Sequence, residues 1–162
     1  MQGLTGEVRN RLPLAAFAPA IVVASVAMAQ NGAPGVVAVT PDEMKWQLQG
    51  GLTTPGLEQL NLVGDPAKPG PYTIRLRFPK GFRIAPHTHP DAREVTILSG
   101  TFATGYGDTF DPAKLKILPA GSFYTEPANM PHYIEIKDDA VLQVSGIGPS
   151  GRRSVNPQDG TK

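Results

Sequence analysis

The sequence predicts an all-β fold, a sandwich or barrel of short strands, on three observations. Eighteen glycines and 17 prolines interrupt the 162-residue chain, a load that suits tight turns and is high for a helical bundle. About nine short apolar or alternating runs follow one another, with turn residues every 8–12 positions or so. No run is long and periodic enough for an extended helix. The length suits one domain. Fifteen Lys and Arg against 14 Asp and Glu leave a net charge of +1, without the basic excess of a nucleic-acid binder. The absence of cysteine excludes disulfides, thiolate metal sites and thiol nucleophiles.

Residues 1–29 read as an address. Arg9 and Arg11 stand at the start of an apolar run, Leu12 to Ala29 carries no charge, and the run ends in Ala27-Met28-Ala29. Small residues at those two positions complete the three-part secretory pattern, with cleavage after Ala29. The competing reading is a retained anchor helix. The run is just long enough to span a bilayer, but Pro13 and Pro19 interrupt it. Export to the periplasm or medium is expected, with no stable membrane association once the signal is removed.

Residues 30–54 form a lead-in. Gln30 to Val39 is small and Gly/Pro-containing. Thr40-Pro41-Asp42-Glu43 reads as a helix start, with Thr40 as N-cap, Pro41 at the first helical position and Glu43 closing a capping box. That short helix, carrying Trp46 to cover the barrel's edge, is expected to reach about Leu48, before Gly50-Gly51. Strands are then expected at Leu57–Val63, Tyr72–Phe78, Val95–Leu98, Thr101–Tyr106, Leu115–Leu118, Ser122–Thr125, His132–Ile136 and Ala140–Val144. In the second, Tyr72, Ile74, Leu76 and Phe78 alternate strictly with Thr73, Arg75 and Arg77. Arg75 and Arg77 share a face that either lines a cavity or meets solvent. Residues 149–162 read as a polar surface tail.

The chain has three histidines, His87, His89 and His132. On a strand, residues i and i+2 face one side, so His87 and His89 can converge on one ion. Pro86 and Pro90 stiffen their entry and exit. Glu94 follows as an oxygen donor within reach. His132 begins a strand after a Pro-bounded turn.

These residues resemble the two motifs of the cupins, single-domain RmlC-like jelly rolls. The first motif, Gly-x5-His-x-His-x(3,4)-Glu-x6-Gly, is matched by Gly81, His87, His89, Glu94 and Gly100. The second, Gly-x5-Pro-x-Gly-x2-His-x3-Asn, is matched by Gly121, Pro127 and His132, with Asn129 for the second glycine and Ile136 for the asparagine. Asn is the non-glycine residue that best tolerates positive φ. The resemblance implies a double-stranded β-helix or jelly-roll barrel over about 55–148. It also implies a divalent transition metal (Fe, Mn, Ni, Cu or Zn) held by the three histidines, with or without Glu94.

One departure bears on the site. Five residues separate Glu94 from Gly100 where the family has six, so Arg93 stands at the family's glutamate position counted back from Gly100. A one-residue shift reverses which way each side chain points. A bulge would turn Glu94 inward as a fourth ligand; without one, Arg93 points into the barrel mouth and favours an anionic ligand.

Tyr124 and Met130 are expected at the substrate pocket beside Arg93, Met130 as an apolar wall. Tyr106 and Tyr133 read as core or rim aromatics. The sequence contains no phosphate-cradling glycine loop, no Gly-x-Ser-x-Gly elbow and no spaced carboxylate pair. Two function classes stay open. One is a metal-dependent enzyme, of the dioxygenase, lyase or isomerase type the resemblance implies, acting on a small acidic molecule. The other is a non-catalytic small-ligand or metal-binding module, in one form metal-free with an Arg-lined anion pocket. A homodimer is expected by analogy with the family.

Overall fold

A computed structural model describes residues 35–49 and 56–156. The expected export signal, residues 30–34 and 50–55, and the closing residues 157–162 lie outside them. The described chain is one nine-stranded sheet: β1 (Gln47–Leu48), β2 (Glu58–Val63), β3 (Gly70–Phe78), β4 (Arg83–Thr88), β5 (Arg93–Tyr106), β6 (Lys116–Pro119), β7 (Phe123–Glu126), β8 (His132–Gly148) and β9 (Arg153–Ser154). β8 is the spine. Along one edge it takes β3, through Ala140–Gly148, and β4, through His132–Glu135. Along the other it takes β5, which carries β6 and β7 in turn. The sheet curls so that its inner face closes on Ile74, Phe78, Phe102, Ile136, Leu142 and Val144, all buried. Each such side chain contributes about 1.5–3 kcal/mol by leaving water.

Two pairs of expected strands are fused. β5 joins Val95–Leu98 to Thr101–Tyr106, and β8 joins His132–Ile136 to Ala140–Val144. Gly100, which reads as a stop in the sequence, is a corner inside β5. Its φ is 76°, and a Cβ there would strike the Asp139 carbonyl and the Ala140 backbone. The pairing of β5 with β8 slips around this point, between Ile97 and Phe102. Both strands therefore bend together, and pairing continues beyond the corner.

The expected helix is a single 3-10 turn, Pro41–Glu43. The capping contacts are present, with the Thr40 amide donating to Glu43 Oε2 at 2.7 Å and its hydroxyl at 3.0 Å. The chain is extended after it. So short a helix is marginal alone, and pairing of β1 with β2 satisfies the backbone instead. Trp46 lies in this extended stretch with the Arg77 guanidinium 4.6 Å from its ring centroid. Arg75 and Arg77 face outward, where Arg77 pairs with Glu58 and Arg75 donates to Gln143.

Candidate metal centre

The three histidines meet on the inner face at one end of the sheet. Ile84 pairs with Ile134 and His87 with His132, so β4 spends three steps where β8 spends two. This bulge at Ala85-Pro86 is why Ile84 and His87 both face inward despite their odd spacing. His89, just past the end of β4, is tied to the turn before β8 by the Asn129 amide, which donates to its carbonyl at 2.7 Å. Asn129 has a φ of 59°, the conformation expected of a residue standing for glycine.

His87, His89 and His132 are 3%, 5% and 1% exposed, and one ring nitrogen of each lies within 4.8 Å of the others. Every Nδ1 faces a main-chain carbonyl: His87 that of Ala85 at 2.8 Å, His89 that of Gly151 at 2.6 Å, and His132 that of Met130 at 3.2 Å. A carbonyl only accepts, so each Nδ1 carries the proton and donates it. In a neutral ring Nε2 is then left with a lone pair. Burial, then repulsion from the His132 and His89 rings, pushes His87 down to about 2. Burial, then the Arg93 charge, pushes His89 down to about 4. The buried Nε2 atoms of His89 and His132 have no hydrogen-bond partner. Neutral imidazoles fixed through Nδ1, with orphaned Nε2 atoms turned to a common centre, fit a transition metal.

The orientation at the first motif follows from register. β5 pairs with β7 residue for residue from Arg93 to Thr96, with no bulge. Arg93 therefore shares the inner face of Val95 and Ile97, which are fully buried. Glu94 points outward, opposite Thr125 and Ser145. The placement of Glu94 as a fourth ligand is thus corrected: it is exposed, on the outer face of the sheet.

The carboxylate that faces the histidines is Glu126, which the sequence reading passed over. It lies directly across from Arg93 and is 4% exposed. Arg93 contacts its Oε2 through Nε at 2.6 Å and also through Nη2. The Tyr124 hydroxyl donates to Oε1 at 2.8 Å. Oε1 stands 3.4 Å from His132 Nε2, and Oε2 stands 3.9 Å from His89 Nε2. Burial opposes ionisation of Glu126, but the His132 ring whenever its Nε2 carries a proton, and the Arg93 guanidinium, outweigh it and hold the carboxyl well below the usual carboxylate range. Burial, then the Glu126 charge, raises the Tyr124 phenol well above its ordinary value. A signal for Glu126 was present in the sequence. It is two residues beyond Tyr124 on one strand, so a Tyr124 facing the pocket brings Glu126 with it.

His87 and His89 open onto a cavity of about 360 Å³. Its walls are mainly apolar, among them Ile74, Phe78, Phe102 and Leu142, and Arg93, Tyr124 and Glu126 line its polar side. Met130 does not line it; the residue is 44% exposed, on the outside of the turn that carries His132. Tyr106 is exposed, and Tyr133 is buried with its hydroxyl on the Asp111 carbonyl. Tyr72 lines the cavity and donates to Asp91 at 2.6 Å; burial, then Asp91, raises its phenol to about 12. The segment after Gly148 is no mere surface tail. β9 pairs with β4 at His87 and Thr88, Gly151 holds His89, and Ser150, Gly151 and Arg152 line the cavity.

A family model described as a ChrR cupin-like domain matches residues 34–150. Among solved structures, the chain is similar to the polyketide cyclase RemF from Streptomyces resistomycificus, at 14% identity and a TM-score of 0.65, over 77% of this chain and 89% of that one. It is similar to an RmlC-like cupin from Shewanella frigidimarina at 18% identity and a TM-score of 0.54, over 67% and 87%. It is also similar to a salicylate 1,2-dioxygenase from Pseudaminobacter salicylatoxidans at 14% identity and a TM-score of 0.51, over 65% of this chain but only 32% of the dioxygenase. At these identities the likeness is one of fold. No curated protein matches the chain.

Proposed function

This chain belongs to the ChrR cupin-like family, and we propose that it holds a divalent transition metal on His87, His89 and His132 and presents it to a small anionic organic molecule. The observation that carries the reading is the set of three buried imidazoles, each fixed through Nδ1 on a carbonyl, with its free nitrogen turned to a common centre. When bound, the ion would supply Lewis acidity or, if redox-active, a site for O2 chemistry. The apolar walls would take the body of the ligand and exclude water. Arg152 lines the cavity, and no carboxylate pairs with it among the described residues. It is placed to receive an anionic end group. Tyr72, whose hydroxyl proton is given to Asp91, is a wall group whose oxygen can accept a hydrogen bond from a bound molecule.

A second reading, capture of a ligand without turnover, is favoured by one observation. Glu126, the carboxylate nearest the histidines, is tied on both oxygens by Arg93 and Tyr124, so it does not stand free as a general base. The reading further includes export and a homodimer, carried by the leading segment and by family analogy; cell fractionation and light scattering test them.

The decisive experiment is metal content by plasma mass spectrometry on the purified full chain and on His132→Ala. Near-stoichiometric metal in the first and its loss in the second is the expected result. No metal in either, even after reloading with Fe(II), Mn(II), Ni(II) and Zn(II), would sink the proposal.

A further inference from the structure

We propose that Glu126 Oε1 is the carboxylate donor of this metal centre, delivered from β7 instead of from the β5 position that Arg93 occupies. The inference rests on the metal-centre reading and adds a ligand to it. Arg93 and Glu126 are directly opposed on neighbouring strands, and opposed residues share a face. The carboxylate has moved one strand sideways while staying on the inner surface.

The distribution of lone pairs selects the atom. Both Arg93 nitrogens fall on Oε2, which uses its acceptor capacity. Oε1 takes only the Tyr124 hydroxyl, so one of its lone pairs is free. That free side faces His132 Nε2 at 3.4 Å. Nε2 is itself an orphaned buried atom, because the ring proton is spent on the Met130 carbonyl. With His132 in the neutral tautomer that the Met130 carbonyl sets, a carboxylate lone pair faces an imidazole lone pair, both residues at 5% exposure or less, and only a proton or a cation between them relieves the repulsion. Arg93 is not that cation, since its contacts are made from the Oε2 side. A metal shared by His132 Nε2 and Glu126 Oε1 resolves the conflict and leaves every other contact of the carboxylate intact.

The test is titration of the full chain with Co(II). Visible d–d absorption reports the coordination sphere, and competition with a chromophoric chelator gives the affinity. Wild type is compared with Glu126→Gln, Glu94→Gln and His132→Ala. The double variant Arg93→Met/Glu126→Leu is included because Glu126→Gln leaves Arg93 buried without its partner and can fail to fold. The expected result is binding weakened about 10-fold or more, with an altered d–d spectrum, in the double variant and in Glu126→Gln where it folds. Glu94→Gln should behave as wild type. Wild-type affinity and spectrum in the double variant, with binding abolished in His132→Ala, would overturn the inference and leave the three-histidine centre standing. Loss in Glu94→Gln instead would also overturn it. No Co(II) bound by wild type would remove both the inference and the reading beneath it.

Discussion

Arg93→Met alone should be among the most damaging single substitutions in the protein, and the damage should vanish when Glu126 is replaced as well. The guanidinium and carboxylate are 12% and 5% exposed. Removing the guanidinium leaves a buried carboxylate with one remaining donor, Tyr124. Breaking a buried pair in this way costs about 3–5 kcal/mol. At roughly 2–4 °C per kcal/mol for a chain of this size, the melting temperature should fall by about 6–20 °C. Arg93→Met/Glu126→Leu removes both charges and fills similar volume, and such replacements are often neutral or stabilising by about 1–4 kcal/mol. The assay is urea denaturation of wild type, both singles and the double in a chelator-containing buffer, read as a double-mutant cycle. The coupling energy should be at least about 2 kcal/mol, at an unchanged m value. A loss below about 1 kcal/mol in Arg93→Met is the value of a surface pair and would refute the claim that this pair is sequestered from water.

The metal-free protein should lose stability as pH falls from about 6.5 toward 4. His87 and His89 titrate at about 2 and about 4 in the folded chain against an ordinary value near 6.5. Across that window the unfolded chain binds more protons, so stability rises with pH and is lost on acidification, by on the order of a few kcal/mol. Urea midpoints at pH 7, 5.5 and 4.5 in chelator check it, and a flat or inverted profile would count against buried neutral rings. Gly146→Ala should cost about 1–3 kcal/mol. A Cβ there would sit 2.7 Å from the Tyr72 hydroxyl and 2.8 Å from Asp91 Oδ2, forcing apart a buried hydrogen bond. A melting temperature within a degree of wild type would show that this wall of the cavity yields freely.

The histidines and the strand-rich fold were legible because their signals are local. Alternation in Tyr72–Phe78 and the i, i+2 placement of His87 and His89 depend only on the period of a strand. The corner at Gly100 was not legible, because a glycine that ends a strand and one that bends it look alike until the Asp139 carbonyl is seen pressing on it. The short helix failed for a related reason. The capping residues behave as expected, but whether the chain stays helical beyond them is decided by β2, which offers β1 a partner. The role of the segment after Gly148 was hidden because it acts through its backbone. Gly151 holds His89 with a carbonyl, an atom that every residue type provides.

Of the alternatives left open at Arg93 and Glu94, the structure takes the inward arginine, yet a carboxylate still stands beside the histidines. The sequence sets an inward glutamate as metal ligand against an inward arginine as anion receptor. The structure has Arg93 inward and a carboxylate beside the histidines, since Glu126 lies across the ladder from it. Their charges cancel, and the depressed values of His87 and His89 keep those rings neutral at pH 7. A divalent ion bound here therefore retains its whole charge in a cavity with largely apolar walls, where a carboxylate without the arginine would have halved it. Arg152 adds a further positive charge at the lining. On the proposed reading, this sum favours an anionic ligand, even though Arg93 itself is occupied.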